Sequence, residues 1–217
     1  MKFPKKINPQ LAVIIILVMV IGWFAYNKWG GGFLLDIKYK FLSGATKAEI
    51  TIGSGDAKIK IIEYYSYLCE YCKAFENEVK PQIVKNYVST GKAQLVLRPF
   101  PPYELGEAVS CANEQGKFLE FHDYLFKNAE TLKEEEDLKV FAKTAGMNSE
   151  QFWQCYSSGK YESRAELWYK QGMADFDKFE IPESQRGTPS FVINGEMING
   201  AQAFEVFEEV IERKLAE

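Results

Sequence analysis

The stretch Tyr64–Glu76 reads YYSYLCEYCKAFE and carries two cysteines, Cys69 and Cys72, with two residues between them. The apolar run at 59–62 predicts a buried strand before it, and apolar residues at helical spacing predict a helix after it. Cys69 is therefore expected where a strand ends and a helix begins. Unpaired N–H groups and the helix dipole favour negative charge at such a position, and the thiolate is the nucleophilic form of cysteine. The stretch predicts a dithiol that exchanges electrons with the cysteines of other proteins.

The composition limits the other possibilities. The chain has 217 residues, of which 47% are hydrophobic and 15% aromatic, enough for one medium domain with a sizeable core and an appendage. The net charge of −4 argues against nucleic acid as the main partner. No second C-x-x-C or H-x-x-x-H completes a zinc site, and His122 is the only histidine, so we expect no metal and no cofactor. We expect His122 to be a helix-surface or packing residue.

The N-terminal region predicts a membrane anchor. Residues 7–27 carry no charge, and these 21 residues would span roughly 31 Å as a helix, about the thickness of a bilayer core. Bulky residues follow where a cleaved signal peptide needs small ones, so we favour an uncleaved signal-anchor over a signal peptide or a core helix. The preceding lysines favour an N-terminus inside the cell. We expect a cytoplasmic tail and transmembrane helix over 1–28 and a linker with Gly30–Gly32 over 29–47.

The remaining residues, 48–217, predict one α/β domain. Strand patterns lie at 57–65 and 93–100, and the helix between them contains Pro81, which must kink it or begin a second segment. Four helices are expected over about 104–175. A hairpin at Asn194-Gly195 and a terminal helix over 201–215 complete the order. This order predicts a central sheet covered by helices.

Two motifs in this order carry a family resemblance. They are EYYSYLCEYC at 63–72 and GTPSF at 187–191, and the helical insert lies between them. Over about 58–216 the chain resembles the thioredoxin fold, and specifically the DsbA-like thiol–disulfide oxidoreductases. The segment CANEQGKF at 111–118 is similar to one in membrane-tethered, four-cysteine members. The resemblance implies a thioredoxin-like fold with a helical insertion.

The resemblance assigns roles to the dithiol. Cys69 is implied as the attacking cysteine that forms mixed disulfides, and Cys72 as the resolving cysteine one helical turn on. The alternatives are a metal-binding pair or inert core thiols. Strongly oxidising members often have Pro-His between the cysteines, whereas this chain has Glu70-Tyr71. Tyrosine cannot stabilise the thiolate by charge and glutamate opposes it, which predicts a less oxidising dithiol.

Three further residues match positions that support the dithiol in the family. Glu63 matches a buried acid that would have a raised pKa and move protons for Cys72, with Arg98 or Lys60 as its candidate partners. A glutamate at a strand end that reaches water is the alternative. Pro189 matches the cis-proline of the fold, and Thr188 before it would expose its backbone to a substrate strand and touch the sulfurs. An ordinary loop proline is the alternative.

The other two cysteines, Cys111 and Cys155, fall on predicted helices of the insert. The resemblance to four-cysteine enzymes implies that they form a structural disulfide. Two buried free cysteines are the alternative. Such a disulfide requires an oxidising compartment, which agrees with a membrane anchor.

These expectations combine into one functional hypothesis. We expect a protein thiol–disulfide oxidoreductase that forms disulfides in extracytoplasmic, for example periplasmic, proteins and that is held in the cell membrane by its N-terminal helix. Its partners would be unfolded or reduced proteins and a membrane or soluble redox partner that reoxidises it. The alternatives are a disulfide reductase or isomerase, and a non-catalytic thioredoxin-fold metal chaperone or holdase.

Overall fold

The computed structural model describes residues 49–217. The predicted tail, transmembrane anchor and linker, at 1–28 and 29–47, lie outside the described residues. Within 49–217, none of the helices combines the length and apolar character needed to cross a membrane.

A five-stranded mixed sheet forms the centre of the domain, in the order β1-β3-β2-β4-β5. The central strand, β2, pairs in parallel with β3 and antiparallel with β4. The segment that follows β2 therefore leaves the middle of the sheet. The strands are β1 Ile50–Ile52, β2 Ile59–Tyr65, β3 Ala93–Pro99, β4 Ser190–Ile193 and β5 Glu196–Asn199. The predicted hairpin is confirmed, since β4 and β5 pair around the turn at 194–195.

The helix after the dithiol is divided in two, as its proline predicts. The first part ends at Glu78, and Pro81 lies in the first turn of the second part, where its missing N–H costs no helical hydrogen bond. A π-helical turn, Val84–Val88, continues the second part. The helices are α1 Glu70–Glu78, α2 Lys80–Ile83, α3 Tyr103–Glu114, α4 Phe118–Asn128, α5 Asp137–Thr144, α6 Ser149–Ser157, α7 Glu162–Lys178 and α8 Phe204–Ala216.

The insert between β3 and β4 contains five α-helices, α3 to α7, so the expectation of four helices is wrong. Apolar residues continue at helical spacing through the α3–α4 junction, which hides the break. Gly116 separates the two helices with a φ of +67°, a conformation that glycine adopts readily. Within the insert, Cys111 of α3 and Cys155 of α6 form a disulfide across a sequence separation of 44 residues.

Aromatic side chains fix α1 to the sheet. Phe75 of α1 lies 4.5 Å from Phe191 of β4 and 5.4 Å from Phe207 of α8, measured between ring centroids. All three side chains are buried. Such aromatic contacts add to the free energy gained by burial. Because Phe75 comes three residues after Cys72, this packing holds the start of α1 in place.

Candidate active site

Cys69 occupies the N-cap of α1, with extended backbone angles of φ −98° and ψ 116°. Its side chain is half-buried, and its thiol donates a hydrogen bond to the carbonyl oxygen of Thr188 at 3.2 Å. The loop before β4 therefore lies directly against this sulfur. Cys69 is therefore placed at the start of α1, where another thiol can reach it.

Cys72 differs from Cys69 in its surroundings. It is fully buried, and the backbone N–H of Ser66 approaches its sulfur at 3.5 Å. Burial raises the pKa of the Cys72 thiol far above its ordinary value, and the hydrogen bond from Ser66 offsets only part of this. Both thiols are free. The site is thus a reduced dithiol with one accessible and one enclosed sulfur.

The Thr188–Pro189 peptide bond is cis, as the family resemblance implies. A second cis bond, Pro101–Pro102, was not expected, because the sequence of two prolines does not reveal the isomer. The Ser66 hydroxyl donates a hydrogen bond to the carbonyl oxygen of Pro101 at 3.0 Å. The segment before Cys69 is therefore bounded by the loop after β3 as well as by the loop before β4.

Glu63 lies wholly inside the protein on β2, which excludes the alternative of a strand-end glutamate that reaches water. Among residues 49–217, none donates a hydrogen bond to either of its carboxylate oxygens. The Lys80 ammonium of α2 lies 3.4 Å from one of them. Burial raises the pKa of Glu63 to about 8, although the charge of Lys80 opposes the shift. A carboxyl group with this pKa gains and loses a proton near neutral pH.

The prediction that Arg98 or Lys60 pairs with Glu63 is wrong. Arg98 is opposite Tyr64 in the β2–β3 register, so its side chain is on the other face of the sheet from Glu63. It bonds the Tyr64 hydroxyl at 3.0 Å. Lys60 is exposed.

His122 completes a buried polar cluster with Glu63, Glu76 and Lys80. The imidazole is buried, its Nε2 lies 3.4 Å from the Glu76 carboxylate, and its Nδ1 lies 2.8 Å from the Tyr67 hydroxyl. The Lys80 ammonium also pairs with Glu76. Burial would raise the pKa of Glu76, yet the positive charge of Lys80 and the hydrogen bonds hold it at about 2.

Sequence reasoning missed the roles of Glu76, Lys80 and His122 in this cluster. His122 was expected as a surface or packing residue, and it is a buried one with polar partners. One signal in the sequence points to the cluster. Cys72, Glu76 and Lys80 are spaced by four residues, which places successive side chains on one helical face.

Replacing Glu63 with glutamine is expected to reduce the loss of stability that occurs as the pH rises. The pKa of Glu63 is about 8 in the folded protein against 4.5 in its unperturbed state, so the folded form keeps a proton that the unfolded chain releases. The stability that this proton contributes is fully present below the unfolded pKa. It falls as the pH rises toward 8, with a limiting slope of about 1.4 kcal/mol per pH unit. Urea unfolding of wild type and Glu63→Gln at pH 5, 6.5 and 8 measures the difference.

The difference between wild type and Glu63→Gln cancels most other contributions to the pH dependence of stability, because Glu76 and His122 titrate in both proteins. Glu205→Gln, at an exposed position on α8, is the matched control and should follow the wild type. Parallel curves for wild type and Glu63→Gln would show that Glu63 does not keep its proton on folding.

Comparison with known proteins agrees with this architecture. The thioredoxin family model matches residues 45–213. A Rickettsia bellii relative, named provisionally as a protein-disulfide oxidoreductase, is 25% identical over 155 residues, which cover 68% of this chain and 57% of the relative. A Bacillus cereus relative, named as a probable disulfide bond formation protein D, is 26% identical over 229 residues, which cover 99% of each chain. The chain spans a little over half the length of the first curated relatives it matches.

A solved structure shows the same fold. The crystal structure of alpha-DsbA1 from Wolbachia pipientis superposes with a TM-score of 0.65 at 22% identity, over 77% of this chain and 91% of that one. At this level of identity the likeness concerns the fold. The family model that matches residues 45–213 and this superposition agree on the fold that holds the dithiol. The chain therefore belongs to the thioredoxin family, and it is similar to proteins named as disulfide oxidoreductases and disulfide bond formation proteins.

Proposed function

We propose that the chain forms disulfides in other proteins by dithiol–disulfide exchange at Cys69 and Cys72. The observation that carries this proposal is the difference between the two free thiols. Cys69 is accessible at the start of α1 and bonded to the Thr188 carbonyl, whereas Cys72 is enclosed. A substrate can therefore reach only one of the two sulfurs, as a directed exchange reaction requires.

The reaction starts from the oxidised enzyme, with a Cys69–Cys72 disulfide. A substrate thiolate attacks the Cys69 sulfur, so that a substrate–Cys69 disulfide forms and the Cys69–Cys72 bond breaks. Cys72 leaves with the electron pair and takes up a proton. A second substrate thiolate then attacks the substrate sulfur of the mixed disulfide, and Cys69 leaves as a thiolate. The substrate loses two electrons, and the enzyme ends as the reduced dithiol.

Glu63 is proposed to supply and accept the proton of Cys72. The high pKa of the buried thiol makes its thiolate a poor leaving group unless a proton is available. Glu63, with a pKa of about 8, holds a proton at neutral pH and contacts Lys80, whose ammonium also pairs with Glu76 of the helix that carries Cys72. Thr188 and Pro189 are proposed to place the substrate strand against Cys69, because the Thr188 carbonyl already contacts that sulfur.

We propose that the enzyme oxidises its substrates, and a disulfide reductase or isomerase is the alternative. Glu70 next to Cys69 opposes a thiolate, but its charge is partly balanced by the Lys73 ammonium at 2.8 Å. Tyr71 is 71% exposed and brings no charge. We therefore expect a potential more negative than the value of about −120 mV of the most oxidising DsbA dithiol.

Equilibration of Cys69 and Cys72 with glutathione buffers, followed by thiol alkylation and mass spectrometry, measures this potential. A value as high as that of a Pro-His dithiol would contradict the expected effect of Glu70-Tyr71. Thiol trapping in cells tests the direction. A dithiol found mostly oxidised supports the oxidase, and one found mostly reduced supports the reductase or isomerase.

The site of action is proposed to be the outer side of the cell membrane, with the domain tethered by its N-terminal segment. The Cys111–Cys155 disulfide supports this location, because structural disulfides persist in oxidising compartments. The proposed partners are reduced substrate proteins and a redox protein that reoxidises Cys69 and Cys72. Fractionation of the full chain and protease access to its domain in intact cells test the location.

A further inference from the structure

A groove of about 330 Å³ lies beside the candidate active site. We call it the Leu68 groove, after the residue that precedes Cys69 and is 46% exposed. Apolar side chains form its bed. They are Leu68, Pro102, Leu105, Ala129, Leu132 and Leu138. An exposed leucine next to a reactive cysteine is a surface that an incoming chain can cover, with a gain in free energy from the buried apolar area.

The rim of the Leu68 groove is acidic. Glu104, Glu134 and Glu135 line it and are exposed, and Lys133 is the one cation among the described residues that line it. Within the part of the chain that the structure describes, no lysine or arginine forms an ion pair with these three carboxylates. These three carboxylates can therefore attract a cationic ligand.

The acidic surface extends beyond the Leu68 groove. A second groove of about 320 Å³ shares Glu104, Glu135 and Tyr156 with the first, and Glu107 and Glu162 add to it. Burial raises the pKa of Glu107, and repulsion from the neighbouring glutamates raises it further. The carboxylates of the two grooves therefore repel one another. A positively charged ligand would relieve this repulsion.

We propose that the Leu68 groove binds a segment of the reduced substrate polypeptide that carries an apolar side chain flanked by lysine or arginine. The apolar side chain would cover Leu68 and its neighbours, and the cations would meet Glu104, Glu134 and Glu135. Because Leu68 adjoins Cys69, the apolar residue of the substrate would lie roughly two to four residues from its reactive cysteine. This inference rests on the proposed exchange reaction and adds the class of substrate that the site prefers.

Oxidation of two-cysteine peptides by the oxidised full-length protein tests the proposal. One peptide carries a leucine between two lysines near its first cysteine, a second has glutamates in place of the lysines, and a third has serine in place of the leucine. Wild type should oxidise the first peptide with a kcat/KM about tenfold higher than the second at low ionic strength, and added salt should reduce this ratio. The third peptide should also be a poorer substrate than the first.

The variant Glu104→Gln/Glu134→Gln/Glu135→Gln should lose most of the preference for the lysine peptide. The matched control is Glu78→Gln/Glu205→Gln/Glu209→Gln, which removes the same charge from exposed positions outside the groove. It should keep the wild-type preference. Equal loss in both variants would attribute the preference to overall charge and overturn the proposal, as would equal rates for the lysine and glutamate peptides.

Failure of this proposal is distinguishable from failure of the exchange reaction. If Cys69 and Cys72 oxidise all three peptides at the same rate, the reaction stands and the Leu68 groove has no role in selection. If none of the peptides is oxidised and the oxidised protein does not react with glutathione either, the proposed function itself fails. Reaction with glutathione alone, without any peptide preference, also contradicts the docking proposal.

Discussion

Cys69→Ser is expected to lower the rate of substrate oxidation by roughly a thousandfold or more, to the uncatalysed rate. Serine keeps the size of the side chain but cannot form a disulfide with substrate or with Cys72. The other thiol cannot substitute for it, because Cys72 is fully buried and the Cys69 sulfur is the one that contacts the Thr188 carbonyl. The measurement is the oxidation of a reduced two-cysteine peptide in a glutathione buffer.

Cys72→Ser is the matched variant, and its expected behaviour is different. Cys69 remains able to enter mixed disulfides, but no second enzyme thiol is present to release them, so adducts through Cys69 should accumulate. Nonreducing electrophoresis and mass spectrometry detect these adducts. Residual turnover by Cys69→Ser, or the absence of adducts with Cys72→Ser, would show that the exposed thiol is not the site of attack.

The variant Cys111→Ala/Cys155→Ala is expected to lose about 4 kcal/mol in the free energy of unfolding. The native disulfide closes a loop with a sequence separation of 44 residues, and the chain-entropy model assigns about this value to such a loop. The bond joins α3 to α6, so its loss acts on the helical insert and leaves the sheet and α1 intact. Urea unfolding of both proteins, monitored by tryptophan fluorescence, measures the change.

A reductant provides the control for this prediction. With the Cys69–Cys72 dithiol already reduced in both proteins, the wild type should become less stable when Cys111 and Cys155 are reduced, whereas the double variant should be insensitive to the same treatment. The exchange activity per folded molecule should remain, because Cys111 and Cys155 join two helices of the insert and neither belongs to the dithiol. A loss below about 1 kcal/mol would mean that the unfolded chain is little constrained by this bond.

Local signals in the sequence were sufficient to predict much of the fold. The strand before Cys69, the division of the following helix at Pro81 and the hairpin at 194–195 each depend on a few neighbouring residues. The number of helices in the insert was wrong because apolar periodicity continues across Gly116. The anchor predicted over 1–28 stays a prediction.

The buried charges were much harder to predict, since their partners are brought together by tertiary packing. Glu63 was expected to be buried, but its neighbour Lys80 lies 17 positions along the chain, on the helix that Pro81 divides. His122 comes from the insert. Only the register of the sheet excludes Arg98, and that register is not visible in a single sequence.

The buried polar cluster of Glu63, Glu76, Lys80 and His122 can exchange a limited number of protons near neutral pH. Near neutral pH Glu76 is ionised and Lys80 is charged, while burial lowers the pKa of His122 and keeps it neutral. With Glu63 protonated, the four side chains sum to zero charge, and with Glu63 ionised they carry one negative charge. The cluster can therefore release or take up one proton near neutral pH, and in the proposed reaction that proton serves Cys72.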